Sequence, residues 1–275
     1  MIDEFLAGGL DAVEEAIRTA VADQVMPRYR QLAAHEIVEK KGPHDLVTIA
    51  DRQAEEQLTD SLTKLLPGSV VVGEEAVHAD PAVLTALGGD APVWIVDPVD
   101  GTRQFVHGDP GFATLVTLAH REALLASWTY APVLGQMAIA RRGQGAWLGG
   151  EPIHSGSPEP GAALRVAVSH YDFTTDEEKR ALSGLRAPDA EVRPCGSAGL
   201  EYLKVARGLL DAVAFTWENA WDHAAGLLLV GEAGGAQATL GGEPFRITGG
   251  NVLPFTAARD EPTVRHILSL LAAAG

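Results

Sequence analysis

The sequence predicts a mixed helix-and-sheet protein, α+β in its first half and α/β in its second. Three observations carry that expectation. Between Phe112 and Leu148 lie four β-prone runs separated by turn residues (Thr114 to Ala119, Ala123 to Tyr130, Gln136 to Ala140, Ala146 to Leu148), the pattern of an antiparallel meander. From residue 164 to 238, strand-like and helix-like segments alternate, which points to crossover connections. Between these two regions, residues 149 to 161 are rich in Gly, Ser and Pro, as at a boundary. The expected units are therefore 1–155 and 156–275.

The 275 residues are 46 % apolar, enough for a sizeable core. Against 37 Asp and Glu stand 21 Lys and Arg, a formal net charge of −16. A stable nucleic-acid partner needs clustered cations, so that function class is set aside. An anionic small substrate remains compatible if metal ions supply positive charge locally. The single cysteine, Cys195, excludes an intrachain disulfide and fits a reducing compartment. No apolar run has the length of a membrane span, and the acidic start Ile2-Asp3-Glu4 lacks the basic region of a signal peptide, so a cytoplasmic location is expected. The histidines show no zinc spacing.

Taken in order, Phe5, Leu6, Leu10, Val13, Ile17, Val21 and Val25 recur at helical spacing, and Pro27 kinks or ends that run. Gly42-Pro43 marks a loop and Leu46 to Ile49 a short strand. Asp51 reads as the N-cap of a helix from Arg52 to Leu66, with Leu58, Leu62 and Leu65 on one face. Ser69 to Val72 reads as a buried strand ending at Gly73-Glu74-Glu75, and Trp94-Ile95-Val96 as another. The segment from Val106 to Pro110 reads as a loop. In the second half, Leu164 to Val168 is a strand, Thr175 to Leu185 a helix, Ala190 to Arg193 a strand, and a helix runs from Gly196 to Arg207. Asp211 to Phe215 is a strand, Asp222 sits at a helix start where it can cap, and Pro262 to Ala273 is a terminal helix.

Chemistry concentrates where the Trp94 strand ends, in Asp97-Pro98-Val99-Asp100-Gly101-Thr102. Two carboxylates, a backbone carbonyl at Val99 and a hydroxyl fall within six residues. Pro98 stiffens the chain between the carboxylates, Gly101 permits a sharp turn, and Thr102 is placed to cap a helix. All-oxygen donors suit a hard divalent cation such as Mg²⁺, with Mn²⁺ as a substitute. Glu74 and Asp222 are further carboxylates, the first at a strand end and the second at a helix start.

The six-residue stretch resembles the D-P-[ILV]-D-G-T signature of the inositol monophosphatase superfamily of Mg²⁺-dependent, lithium-sensitive phosphatases. Asp45 to Asp51 is similar to its D-L-V-T-x-x-D element, Gly73-Glu74-Glu75 to its G-E-E, Gly196-Ser197-Ala198 to its G-[ST]-A, and Trp221-Asp222 with the small residues after it to its W-D-x-A-[AG]-G. The resemblance implies a layered αβαβα sugar-phosphatase sandwich, a homodimer, and hydrolysis of a small phosphorylated metabolite by metal-activated water. It implies that Glu74, Asp97 and the Val99 carbonyl hold one Mg²⁺, that Asp97, Asp100 and Asp222 hold a second, and that a third can sit near Glu74. Glu74, Asp51 and Thr102 would then serve catalysis, Gly101 and Thr102 the phosphate, and Gly196, Ser197, Ala198 and Asp222 the substrate. It also places Lys40 near the site. Family members that hydrolyse inositol phosphate carry a Glu six residues before the W-D tryptophan. Here Phe215 stands there, with Glu218 as a candidate substitute. The departure leaves open an inositol-monophosphate-like substrate, a histidinol phosphate or a 3′(2′),5′-bisphosphate nucleotide. A metal-binding regulatory relative without catalysis is the non-enzyme alternative.

Overall fold

The computed structural model of this chain describes residues 2–42, 45–157 and 161–273. Pro43 of the expected Gly42-Pro43 loop, the Lys40 side chain and the middle of the Gly/Ser/Pro-rich boundary lie outside the described residues. The chain begins with helices α1 (Ile2–Gly8) and α2 (Leu10–Ala20), and the latter continues through a wider turn to a short 3₁₀ turn at Met26–Arg28, where Pro27 ends it. Strands β1 (Ile37–Gly42) and β2 (Asp45–Thr48) form a small antiparallel ribbon leading into α3 (Ile49–Leu65). Then follow β3 (Val70–Gly73), α4 (Glu74–Ala79), β4 (Val93–Asp100), α5 (Thr102–His107), β5 (Ala113–His120), β6 (Ala123–Ala131), β7 (Gln136–Arg141), β8 (Gly145–Leu148) and β9 (Glu151–Pro152). The second half holds β10 (Leu164–Val168), α6 (Asp176–Ala181), β11 (Ala190–Pro194), α7 (Ala198–Ala206), β12 (Ala212–Phe215), α8 (Ala220–Glu232), β13 (Ala236–Thr239), β14 (Phe255–Ala258) and α9 (Glu261–Ala272).

These elements stack in five layers, as expected. Strands β3 to β9 form a seven-stranded sheet in sequence order, parallel between β3 and β4 and antiparallel from β4 on; the expected meander is β5 to β8. One face carries α2 and α3, joined through Val13, Ile17, Leu58 and Leu62 to Trp94, Val116 and Trp128. The other face meets α7 and α8, which lie between this sheet and a second one of five strands, ordered β11-β10-β12-β14-β13. The outer face of the second sheet is covered by α9 and the turn after α6, through Leu182, Leu185, Val264 and Ile267. Each large apolar side chain sealed between layers contributes about 1.5–3 kcal/mol.

A local irregularity in β4 sets the site. Asp97 pairs with Leu115 of β5, but Asp100 pairs with Ala113, so three steps along β4 match two along β5. Residues three apart in a regular strand point to opposite faces. The bulge restores Asp97 and Asp100 to one face, shared with Leu115 and Ala113, which pack toward α7 and α8. Pro98 occupies the bulge, where its missing N–H takes no ladder bond.

Three local expectations are corrected. Asp51 does not cap α3: Thr48 does, accepting from the Ala50 amide at 3.1 Å, while Asp51 in the first turn accepts from the Thr48 amide at 2.8 Å, a reciprocal capping box. Thr102 is not an N-cap either, because Gly101 holds that position. Val106 and His107 belong to α5 and not to the loop.

Candidate active site

Four chain segments converge on one cleft of 620 Å³. Strand β4 brings Asp97 and Asp100, the start of α4 brings Glu74, the start of α8 brings Asp222, and the turn after β4 brings Gly101 and Thr102. Asp97, Asp100 and Asp222 each offer a carboxylate oxygen within 4.8 Å of the others. Asp97 and Asp100 are almost wholly buried. Glu74, Asp100, Gly101, Thr102 and Asp222 line the cleft; Asp97, Val99 and Asp51 lie beneath its surface.

Each acid is held by a distinct device. Asp97 accepts from the Val99 amide at 3.0 Å, closing a tight turn through Pro98. Asp100 sits on the N-terminus of α7, accepting from the Ala198 and Gly199 amides at 3.0 and 2.7 Å and from the Ser197 hydroxyl at 2.5 Å. The exposed amides and the helix dipole favour an anion there. Glu74 opens α4, whose Glu75 and Ala76 amides donate to the buried Glu55 carboxylate at 2.8 Å each. Gly73 must be glycine for this, since a Cβ would come within 2.2 Å of the Glu55 carboxyl carbon. Asp222 accepts from the Trp217 indole at 2.8 Å and from the Asn219 side-chain Nδ2 at 3.1 Å. The Thr102 hydroxyl lies 2.9 Å from the Val99 carbonyl and 3.2 Å from Asp51, linking α5 to α3. Gly101 has φ +89°, the left-handed region that glycine tolerates.

Packing these anions together has an electrostatic cost. Burial, then Glu74, Asp100, Asp222 and Asp51, push the Asp97 carboxyl well above its ordinary value. Burial and Asp222 push Asp100 up to about 7, against the pull of its hydrogen bonds to Ser197, Gly199 and Ala198. A cation among them would reverse both effects. The donors are oxygens, which fits a hard divalent ion. The Cys195 thiol also lines the cleft, but burial pushes it well above its ordinary value and keeps it protonated, hence a poor ligand.

The outer wall consists of Arg103, His170, Asp172, Phe173, Trp217 and Asn219. Arg103 bridges to Asp172 at 2.6 Å, spanning from α5 to the turn after β10. Two expected substrate contacts are corrected here. Phe215 is fully buried within the core, against Trp217 and His223, and does not reach the cleft. Glu218 turns to the loop at 251, where its carboxylate accepts from the Asn251 amide and side chain at 2.9 Å each. Of the α7 trio, Gly196 and Ala198 line the cleft, whereas Ser197 is buried and turned to Asp100. Sequence reasoning missed Glu55. Glu55 left a signal: it is a carboxylate one turn after Asp51 in the stripe that holds Leu58 and Leu62.

The model of the family described as "Inositol monophosphatase family" matches residues 9–268. An inositol monophosphatase of Mesembryanthemum crystallinum is 31 % identical over 255 residues, 90 % of this chain and 89 % of its own length. A Thermotoga maritima protein named fructose-1,6-bisphosphatase/inositol-1-monophosphatase is 34 % identical over 200 residues, 72 % of this chain and 73 % of its own. A solved inositol monophosphatase structure from Thermotoga maritima superposes with TM-score 0.77 at 26 % identity, covering 96 % of this chain and 97 % of that one. The converging carboxylates and the match over nearly all of both chains agree: this protein belongs to the inositol monophosphatase family, and with it to the phosphoric monoester hydrolases.

Proposed function

We propose that the chain hydrolyses the phosphate monoester of a small metabolite with Mg²⁺ in the cleft. The observation that carries this is the group Asp97, Asp100 and Asp222, two of them buried, with oxygens within 4.8 Å of one another at the floor of an open cleft. Glu74, Asp97 and the Val99 carbonyl would hold one ion, Asp97, Asp100 and Asp222 a second, and Glu74 can reach a third. When bound, such ions neutralise the carboxylates, acidify a water and offset charge on the phosphoryl group. Glu74, with Asp51 and Thr102, orients the attacking water. The Gly101 and Thr102 amides donate to the phosphate oxygens. Water attacks phosphorus directly, and no side chain forms a covalent intermediate.

The leaving group meets Arg103, His170, Trp217, Asn219, Gly196 and Ala198, with Asp222 beside them. An inositol-monophosphate-like substrate is the first choice. The two-substrate name of the Thermotoga relative supports keeping sugar bisphosphates in view. Arg103 and the Trp217 wall support a 3′(2′),5′-bisphosphate nucleotide as the second reading. Work as a homodimer is part of the proposal and rests on family resemblance, and a cytoplasmic location is proposed from the single cysteine, which fits a reducing compartment. Among the described residues no helix is long and apolar enough to cross a membrane.

The test is phosphate release from inositol 1-phosphate, histidinol phosphate, fructose 1,6-bisphosphate, phosphoadenosine phosphate and glycerol 2-phosphate, with Mg²⁺, with EDTA, and with Asp97→Asn. Turnover of one substrate that stops in EDTA and drops more than about 100-fold in the variant supports the reading, since loss of a ligand exceeds loss of its supporting partner. Turnover that persists in EDTA refutes it.

A further inference from the structure

We propose that Trp217 is a positioning residue: its indole N–H, together with the Asn219 side-chain Nδ2, sets the Asp222 carboxylate in the orientation the metal site requires. The inference rests on the metal-site reading above. Both donors reach the same oxygen, Asp222 Oδ2, at 2.8 and 3.1 Å. A carboxylate presents about four lone-pair directions, so two neutral donors on one oxygen orient the group and leave it able to ligate. Asp222 lies in the first turn of α8, joined to the cleft floor by two side-chain torsions, and those contacts restrict them.

The indole is itself held from the core. Its ring packs on Phe215, with centroids 4.3 Å apart, and on His223 at 5.1 Å. The Trp217 carbonyl lies 3.0 Å from His223 Nε2. A carbonyl only accepts, so Nε2 carries the proton, and Nδ1 accepts from the Tyr202 hydroxyl at 3.0 Å. Phe215, His223 and Tyr202 are fully buried. A chain of fixed contacts thus runs from the core between the two sheets through Trp217 to a carboxylate of the cleft. Residue 217 also forms part of the cleft wall, so its substitution must preserve an aromatic ring for the roles to be separated.

Partners of this kind change metal affinity by about 10–100-fold. Mn²⁺ binding would be measured by titration calorimetry on the intact chain, wild type against Trp217→Phe, Asn219→Ala and the double variant, with melting of each in EDTA and kcat and KM on the substrate found above. The expected result is Mn²⁺ binding about 10-fold weaker in Trp217→Phe and about 100-fold weaker in the double variant. Metal-free melting is expected to stay unchanged, and kcat to recover at high Mn²⁺. Wild-type affinity in Trp217→Phe, with or without a lower melting temperature, would reduce the indole to a packing group and overturn the proposal. Tighter binding would make it a competitor for the carboxylate and overturn it equally. A wild-type chain that binds no Mn²⁺ overturns the metal-site reading and this inference together.

Discussion

The crowding of carboxylates makes a quantitative prediction about metal-dependent stability. Asp100 moves from 3.8 to about 7 in the metal-free fold. Its folded value lies above its unfolded one, so the penalty is absent below about pH 4 and complete above about pH 7. His223 has the opposite sign: its value falls from 6.5 to about 3, so its contribution is whole above pH 6.5 and is lost as the pH drops toward 3. In a plain stability profile between pH 5 and 8 the two oppose each other. The increment due to metal separates them, because His223 is the same with and without metal. If the proposed metal site holds, saturating Mg²⁺ would bind the ionised carboxylates and expel the proton that Asp100 otherwise holds at pH 5. With a metal-free value of about 7, apparent affinity rises about 100-fold from pH 5 to pH 8, which is roughly 3 kcal/mol. Asp97, raised by the same neighbours, adds to it. The assay is urea unfolding at pH 5 and pH 8, in EDTA and at a fixed Mg²⁺ concentration well above the dissociation constant at both. An increment that stays flat would mean that the carboxylates are already ionised without metal, and would refute the electrostatic account of the site.

Two further predictions concern support of the site. Tyr202→Phe removes the hydroxyl that donates to His223 Nδ1 and leaves a buried acceptor unsatisfied, for a loss of about 1–3 kcal/mol in urea unfolding. Arg259→Met removes one of the two arginines that flank the buried Asp211, where Arg259 Nη1 meets Oδ1 and Arg165 meets Oδ2 at 3.0 Å. An uncompensated buried charge costs about 3–5 kcal/mol, and the retained Arg165 sets the result at the low end; a loss under about 1 kcal/mol by denaturant titration would mean that Arg165 alone suffices.

Much of the fold was readable from short stretches. The meander runs β5 to β8 within one or two residues of its expected bounds, and β10, β11 and α9 fall close to theirs, because strand alternation, turn glycines and helical spacing act over a few residues. Two of the three local errors sit at element starts. Thr48 and Gly101 took the cap positions expected of Asp51 and Thr102, since either of two nearby polar residues can serve and packing chooses.

By itself the sequence determined which oxygen donors exist and that Asp97, Asp100, Glu74 and Asp222 lie at the ends of strands and the starts of helices. It did not determine how they meet. Asp97 and Asp100 share a face only because β4 bulges against β5, a matter of register between strands. Asp100 is held by amides 98 and 99 residues away, and the Ser197 hydroxyl expected at the substrate is spent on it. Phe215 and Glu218, adjacent to the cleft in sequence, face the core and the 251 loop instead. Side-chain direction at a strand end is set by which layers close over it. Those layers come from both halves of the chain, so only the assembled five-layer packing decided it.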